Sequence, residues 1–340
     1  MREKENDSRR RTSDLSLVEE KQTSSTPYDD VFRTMTVDCP KLVLPLINEM
    51  FAKTGCLTEQ YRGDEVVVSL GNEHFTMQEG GEQEKRITDS LLEVRGKTTK
   101  KFHLECQSTE DGNIIVRMFE YDAQIALQNR NLEKGELRVR FPNSGVLYLR
   151  STEKTPDALR IRIQTSEGEA KHTIPVLKLR RYNVNELFEK RLYMLIPFYL
   201  FNLEHLFRKC DRKDAEALEF LRDTYREIAE LLLAALEEKR IDERELGLIT
   251  DMLKKVTRAL ARKHRSVREE VETIMGGKVL DYPSKRAYNA GLDRGREEGH
   301  HNGYLEALFS LVKDGILSIS DAGRRVDMTE EAFRERMTLQ

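Results

Sequence analysis

The period of hydrophobic and polar positions changes along this chain. From Tyr28 to Thr54 the apolar residues return at helical spacing, with Val31, Phe32 and Met35 on one face. Pro40 and Pro45 interrupt that face, so two helical pieces are expected. The second covers Leu42 to Phe51, and Gly55 ends it. Asp29 or Asp30 can serve as the first N-cap. The period then shortens. Glu65 to Leu70 is a Val-rich strand, and Gly71 to Glu84 is a polar loop or hairpin. Arg86 to Tyr121 follows as strand, turn, strand, turn and helix. Three further strand-like runs end at Arg150 or span Ala158–Ile163 and Ile174–Leu179. Turn chemistry at Pro142-Asn143-Ser144-Gly145, Pro156-Asp157 and Glu167-Gly168 separates them.

Beyond Asn183 the long period takes over. Asn185–Lys209, Lys213–Lys239 and Asp242–His264 are amphipathic and nearly free of Gly and Pro. Within the first of these, Leu192–Leu203 is apolar throughout, which predicts a buried core helix; it is too short for a membrane span, which takes roughly 20 residues. Gly291, Gly295, Gly299 and Gly303 recur every fourth residue, forming one bare ridge on a helix. Each glycine costs about 1 kcal/mol against Ala, so the repeat predicts close helix pairing, within the chain or across a homodimer. Tyr304–Gln340 reads as two or three short helices, with caps at Ser320 or Asp321 and at Thr329. The pattern therefore divides the chain into a disordered arm (1–26), an α/β domain (27–182), a helical domain (183–285) and a glycine-ladder helix with a small helical tail (286–340).

Composition adds limits. At 340 residues, with 34 % charged residues and a net charge of −3, bulk charge announces no nucleic-acid partner; a local basic face would be needed. Lys254, Lys255, Arg258, Arg262, Lys263, Arg265 and Arg268 supply one, as a phosphate-contacting patch or a solvated helix surface. The arm opens MREKENDSRRR with no apolar stretch, so no signal peptide, no membrane association and a cytoplasmic setting are expected. Cysteines at 39, 56, 106 and 210 have no C-x-x-C spacing, which predicts free thiols.

The candidate chemistry lies in KFHLECQ. Phe102, Leu104 and Cys106 alternate with His103, Glu105 and Gln107, so the polar set lines a cleft or faces water. If the preceding hairpin folds about Lys97, Glu93 faces Lys101 and Asp89 faces Glu105. The carboxylates then stand roughly 5 Å apart at Cβ, an arrangement that calls for a cation between them or a proton on one. A hard divalent ion such as Mg²⁺ or Mn²⁺ suits carboxylate oxygens. On the next helix Arg117, Tyr121, Gln124 and Gln128 form a polar line able to reach phosphate.

These residues carry a resemblance. Asp89 followed by Glu105-Cys106-Gln107 looks like the D…E-x-K signature of PD-(D/E)XK nucleases, with Gln in the Lys position. YDDVFRTM, RITDS, HLECQST, RMFEYDAQIAL and the glycine ladder together resemble the bacterial recombination-promoting nuclease and transposase-like (Rpn-like) family. The resemblance implies a restriction-endonuclease-like α/β core followed by an all-α region. It implies a Mg²⁺- or Mn²⁺-dependent DNA endonuclease linked to recombination or mobile-element activity. Asp89 and Glu105 would be catalytic metal ligands, Gln107 the third catalytic residue, and the Cys106 backbone carbonyl a further ligand. Asp29, Glu49, Arg117 and Tyr121 would support the site, while Lys254, Lys255, Arg258, Arg262 and Lys263 would contact DNA. A neutral Gln107 orients water but supplies no charge. Two alternatives stay open: an inactive nuclease-fold protein that binds DNA or builds assemblies, and a nuclease acting against foreign DNA.

Overall fold

The structure is a computed structural model. It describes residues 26–52, 54–57, 59–70, 73–77, 83–87, 90–109, 111–276, 280, 291, 295, 299 and 302–338, with the backbone alone at 73–77 and 83–87. Residues 1–25 of the expected arm lie outside the described residues, and Thr26 belongs to the start of the first helix.

Helix α1 (Pro27–Asp38) begins at Thr26, whose hydroxyl accepts from the Asp29 amide at 3.3 Å while the Asp29 carboxylate accepts from the Thr26 amide at 2.7 Å. Asp29 thus closes a capping box from the third helical position, and Thr26 is the cap. A 3-10 turn at Pro40–Leu42 leads into α2 (Val43–Phe51). Pro45 is tolerated there because first-turn amides have no intrahelical acceptor to lose.

Among the described residues the strands are β1 (Val66–Ser69), β2 (Glu73–Met77), β3 (Gln83–Ile87), β4 (Ser90–Arg95), β5 (Thr99–Gln107), β6 (Asn131–Glu133), β7 (Glu136–Arg138), β8 (Asn143–Tyr148), β9 (Ala158–Thr165) and β10 (Gly168–Lys178). Six form a mixed sheet in the order β1-β4-β5-β8-β10-β9; β2 pairs with β3 and β6 with β7 as separate hairpins. β4 and β5 pair antiparallel with Glu93 opposite Lys101, the register expected from the turn. Although they face each other, the two do not pair: Glu93 bonds Arg95 at 2.7 Å, and the Lys101 ammonium donates to Asn129. β5 and β8 run parallel, which requires a crossover; α3 (Ile114–Gln128) provides it. Its apolar residues Ile114 and Met118 pack on Val146, Tyr148, Leu159 and Ile174 of the sheet.

The expected turn at 142–145 is instead the start of β8. Gly145 sits there because α2 crosses over it. A Cβ at that position would run into Met50 and Phe51. Gly145→Ala is therefore expected to lower stability by about 1–3 kcal/mol through overpacking, read from the urea midpoint; an unchanged midpoint would mean that α2 yields freely.

The expected helix over 185–209 breaks into α4 (Val184–Glu189), a 3-10 segment (Tyr193–Leu206) and α5 (Phe207–Asp211). Arg191 at φ 56° and Pro197 account for the interruption. The 3-10 segment is buried along almost its whole length. Helices α6 (Ala215–Glu237) and α7 (Glu243–Leu260) pack on it, and α8 (Arg265–Gly276) packs on those two helices. α7 packs on both this segment and α1, so the helical part and the sheet part are joined in one compact unit that ends at Leu280. No helix among the described residues is long and apolar enough to cross a membrane, and the four cysteines are free.

The second unit, from Asp281 onward, holds a helical stretch at 302–313 (α9), α10 (Ile319–Arg325) and α11 (Glu330–Thr338). Leu305, Leu308, Phe309, Ala322 and Phe333 form its core. Ser318, two residues earlier than expected, caps α10, and Thr329 accepts from the Ala332 amide at 3.2 Å. Gly291, Gly295, Gly299 and Gly303 are helical and exposed, and a Cβ added at any of them meets no described atom within 4 Å.

Candidate active site

The alternation in β5 decides which side chains face α3. Phe102 packs edge-on against Phe51 of α2. Residues of opposite parity, His103 and Glu105, therefore face the α3 side of the sheet. That side is interior. His103 is fully buried and Glu105 is 4 % exposed, so the polar set neither faces water nor lines an open cleft; Gln107, at the strand end, is half-buried.

Burial of an imidazole and a carboxylate demands partners. The His103 Nδ1–H donates to Asp122 Oδ1 of α3 at 2.7 Å, and its Nε2–H donates to Glu105 Oε1 at 3.1 Å. Asp122 is itself fully buried and accepts twice more, from the Ser144 hydroxyl of β8 at 2.6 Å and from His172 Nε2 of β10 at 3.0 Å. Tyr121 packs edge-on to the His103 ring at a centroid distance of 5.9 Å. The result is an acid–imidazole–acid chain tied to β5, α3, β8 and β10.

The electrostatics follow from these contacts. Burial alone would lower the His103 pKa, but the bonds to Asp122 and Glu105 outweigh it and raise it from 6.5 to about 9. His103 is an imidazolium at neutral pH. Burial alone would raise the Asp122 carboxyl, but bonds from His103 and His172 hold it below its ordinary value. Asp29 behaves differently. Burial raises its pKa, the Thr26 amide and hydroxyl pull it back, and the negative charge of Glu105 pushes it up again. Asp29 of α1 therefore stands within the electrostatic reach of Glu105.

The other expected site residues divide. Asp89 lies outside the described residues. Cys106 is buried on the opposite face of β5 from Glu105. Arg117 is ion-paired with Asp111 at 3.1 Å. Glu49 is engaged elsewhere: it accepts from the Tyr182 hydroxyl at 2.9 Å and pairs with Lys190 at 2.9 Å, beside a cavity of about 1030 Å³ lined also by Lys41, Arg62 and Arg240. On the basic face, Lys254 pairs with Asp251 and Arg258 with Glu272, while Lys255, Arg262 and Lys263 are exposed with no acidic partner in ion-pairing range among the described residues. Among the described residues no group of three His, Cys, Asp or Glu side chains is arranged to hold a metal.

Sequence reasoning missed Asp122, Ser144 and His172. The available signal was Asp122 itself, an acid adjoining Tyr121 on an otherwise buried stripe of α3. Together these features define a mixed α/β protein with a six-stranded mixed sheet and a charged cluster sealed beneath α3. The chain matches no family model, no curated protein and no solved structure.

Proposed function

We propose that this protein is a metal-dependent DNA endonuclease with a PD-(D/E)XK-type core. The observation that carries the reading is the placement of Glu105. It is a carboxylate at the end of a central strand, held by an imidazolium on one side and electrostatically coupled to the Asp29 carboxyl. The antiparallel β4–β5 pair followed by α3 and the parallel β8 supports the same core. An all-oxygen donor set fits a hard cation. Glu105, with Asp89, would hold Mg²⁺ or Mn²⁺, and Asp29, within the electrostatic reach of Glu105, would add negative charge. Such an ion, when bound, lowers the pKa of a water and polarises a phosphate. Gln107 would orient such a water by hydrogen bonding. Lys255, Arg262 and Lys263, exposed on α7 and the turn after it, offer phosphate contacts. A homodimer through the Gly291–Gly303 helix belongs to the proposal, and the bare exposed ridge supports it.

The burial of Glu105 favours a second reading, in which the cluster is structural and the protein binds DNA or builds assemblies without cutting it. Plasmid nicking separates the two. Under the first reading the full chain nicks supercoiled DNA with Mg²⁺ or Mn²⁺, and a chelator stops it. Glu105→Ala then lowers the rate by more than about 100-fold, beyond what an outer partner of a metal ligand costs. A mutant as active as the parent would remove Glu105 from the site. A parent inert with every divalent metal would leave the second reading.

A further inference from the structure

The buried chain runs in one direction. Ser144 and His172 both donate to Asp122; Asp122 accepts from His103; and His103 donates onward to Glu105. Each link immobilises the next. The Asp122 carboxylate is pinned by three donors from three different strands, so it has no free rotation about its terminal torsion. The His103 ring is fixed at both nitrogens and bounded by the Tyr121 edge. Glu105 receives the His103 bond, and its charge is felt by Asp29 of α1.

A cluster needed only to hold α3 on the sheet would be complete at Asp122. Three donors from β5, β8 and β10 already converge there, and one neutral donor per strand would suffice. Extending the chain along β5 to a second acid brings in a further desolvated charge, which contributes little to packing. It does define the direction and position of one carboxylate oxygen. Ligand carboxylates at metal centres are commonly held in this way by outer hydrogen-bond partners.

We propose that His103 and Asp122 are positioning residues that fix the Glu105 carboxylate for a divalent cation. The proposal rests on the nuclease reading above. Neither residue touches the cation or the DNA; both act through Glu105, and Asp122 acts through His103.

The test uses the full chain and Mn²⁺ alone as probe, with free Mn²⁺ followed by electron paramagnetic resonance and folding followed by circular dichroism. The parent binds Mn²⁺, and Glu105→Ala abolishes that binding. Asp122→Asn, which keeps the shape and one acceptor, weakens Mn²⁺ binding by about 10-fold or more while remaining folded, within the range outer partners show. His103→Ala weakens it further, and His103→Gln, which can still donate to Glu105, recovers part of the loss. Ser144→Ala removes a bond to Asp122 and leaves Mn²⁺ affinity near the parent's. Both readings lower the melting temperature of these variants; a purely structural cluster would leave the Mn²⁺ affinity of the folded protein unchanged in the His103 and Asp122 variants. That result, with a parent that binds Mn²⁺, overturns the positioning roles and spares the nuclease reading. A parent that neither binds Mn²⁺ nor nicks DNA overturns both.

Discussion

Asp122→Ala is expected to destabilise the first unit by about 3–5 kcal/mol, the usual cost of removing one partner from a buried charge pair. Asp122 is fully buried and accepts from His103, Ser144 and His172. Alanine leaves a buried imidazolium with Glu105 as its remaining partner and leaves two other donors unpaired. Ser144→Ala, which removes one neutral donor, should cost only about 1 kcal/mol. Denaturant unfolding checks both: the midpoint should fall with an unchanged slope, because the surface exposed on unfolding is nearly the same. A loss below about 1 kcal/mol for Asp122→Ala would mean that water reaches the cluster and replaces the carboxylate.

The second large effect is on pH. His103 has a folded pKa of about 9 against an ordinary value of 6.5. Between those values the folded chain holds a proton that the unfolded chain has released, so stability falls as pH rises. The contribution is complete below pH 6.5 and is lost as pH climbs through about 9. A shift of this size corresponds to about 3 kcal/mol. The acid limb has the opposite sign. Asp122 is held below its ordinary 3.8, so its contribution is present above that value and is lost as pH falls through the depressed one. Unfolding free energies measured with a chelator present should therefore peak between about pH 4 and 6.5. His103→Gln should flatten the alkaline limb and also shrink the acid limb, because Asp122 then loses the imidazolium that does most to hold its carboxyl down. An alkaline limb that survives the substitution would assign it to another group.

The parts of this site carried by one strand were legible in the sequence, and the parts assembled across strands were not. Period-2 alternation in KFHLECQ put His103 and Glu105 on one face, and the hairpin arithmetic matched the register from Ser90 to Arg95. The direction of that face is not legible in the strand alone, because alternating polar side chains suit a cleft or solvent as well as a sealed interior. Here the polarity is neutralised internally by Asp122, a residue 19 positions from His103 that only the α3 crossover brings near. β8 was half hidden, since Pro142, Asn143 and Gly145 read as turn chemistry and Gly145 is there for α2. The β6–β7 hairpin carries no alternation; all six of its strand residues are exposed, and its turn at Lys134-Gly135 relies on two positive φ angles. The 3-10 segment offered only uniform hydrophobicity, which fixes burial and leaves the helix type open.

β5 is hydrogen-bonded to a neighbour on each side, and its middle is buried. Amides in such strands open only when the whole unit unfolds. The strand bearing Glu105 is therefore expected to be among the last parts of the unit to exchange its amides with solvent, and native-state hydrogen exchange would read this directly.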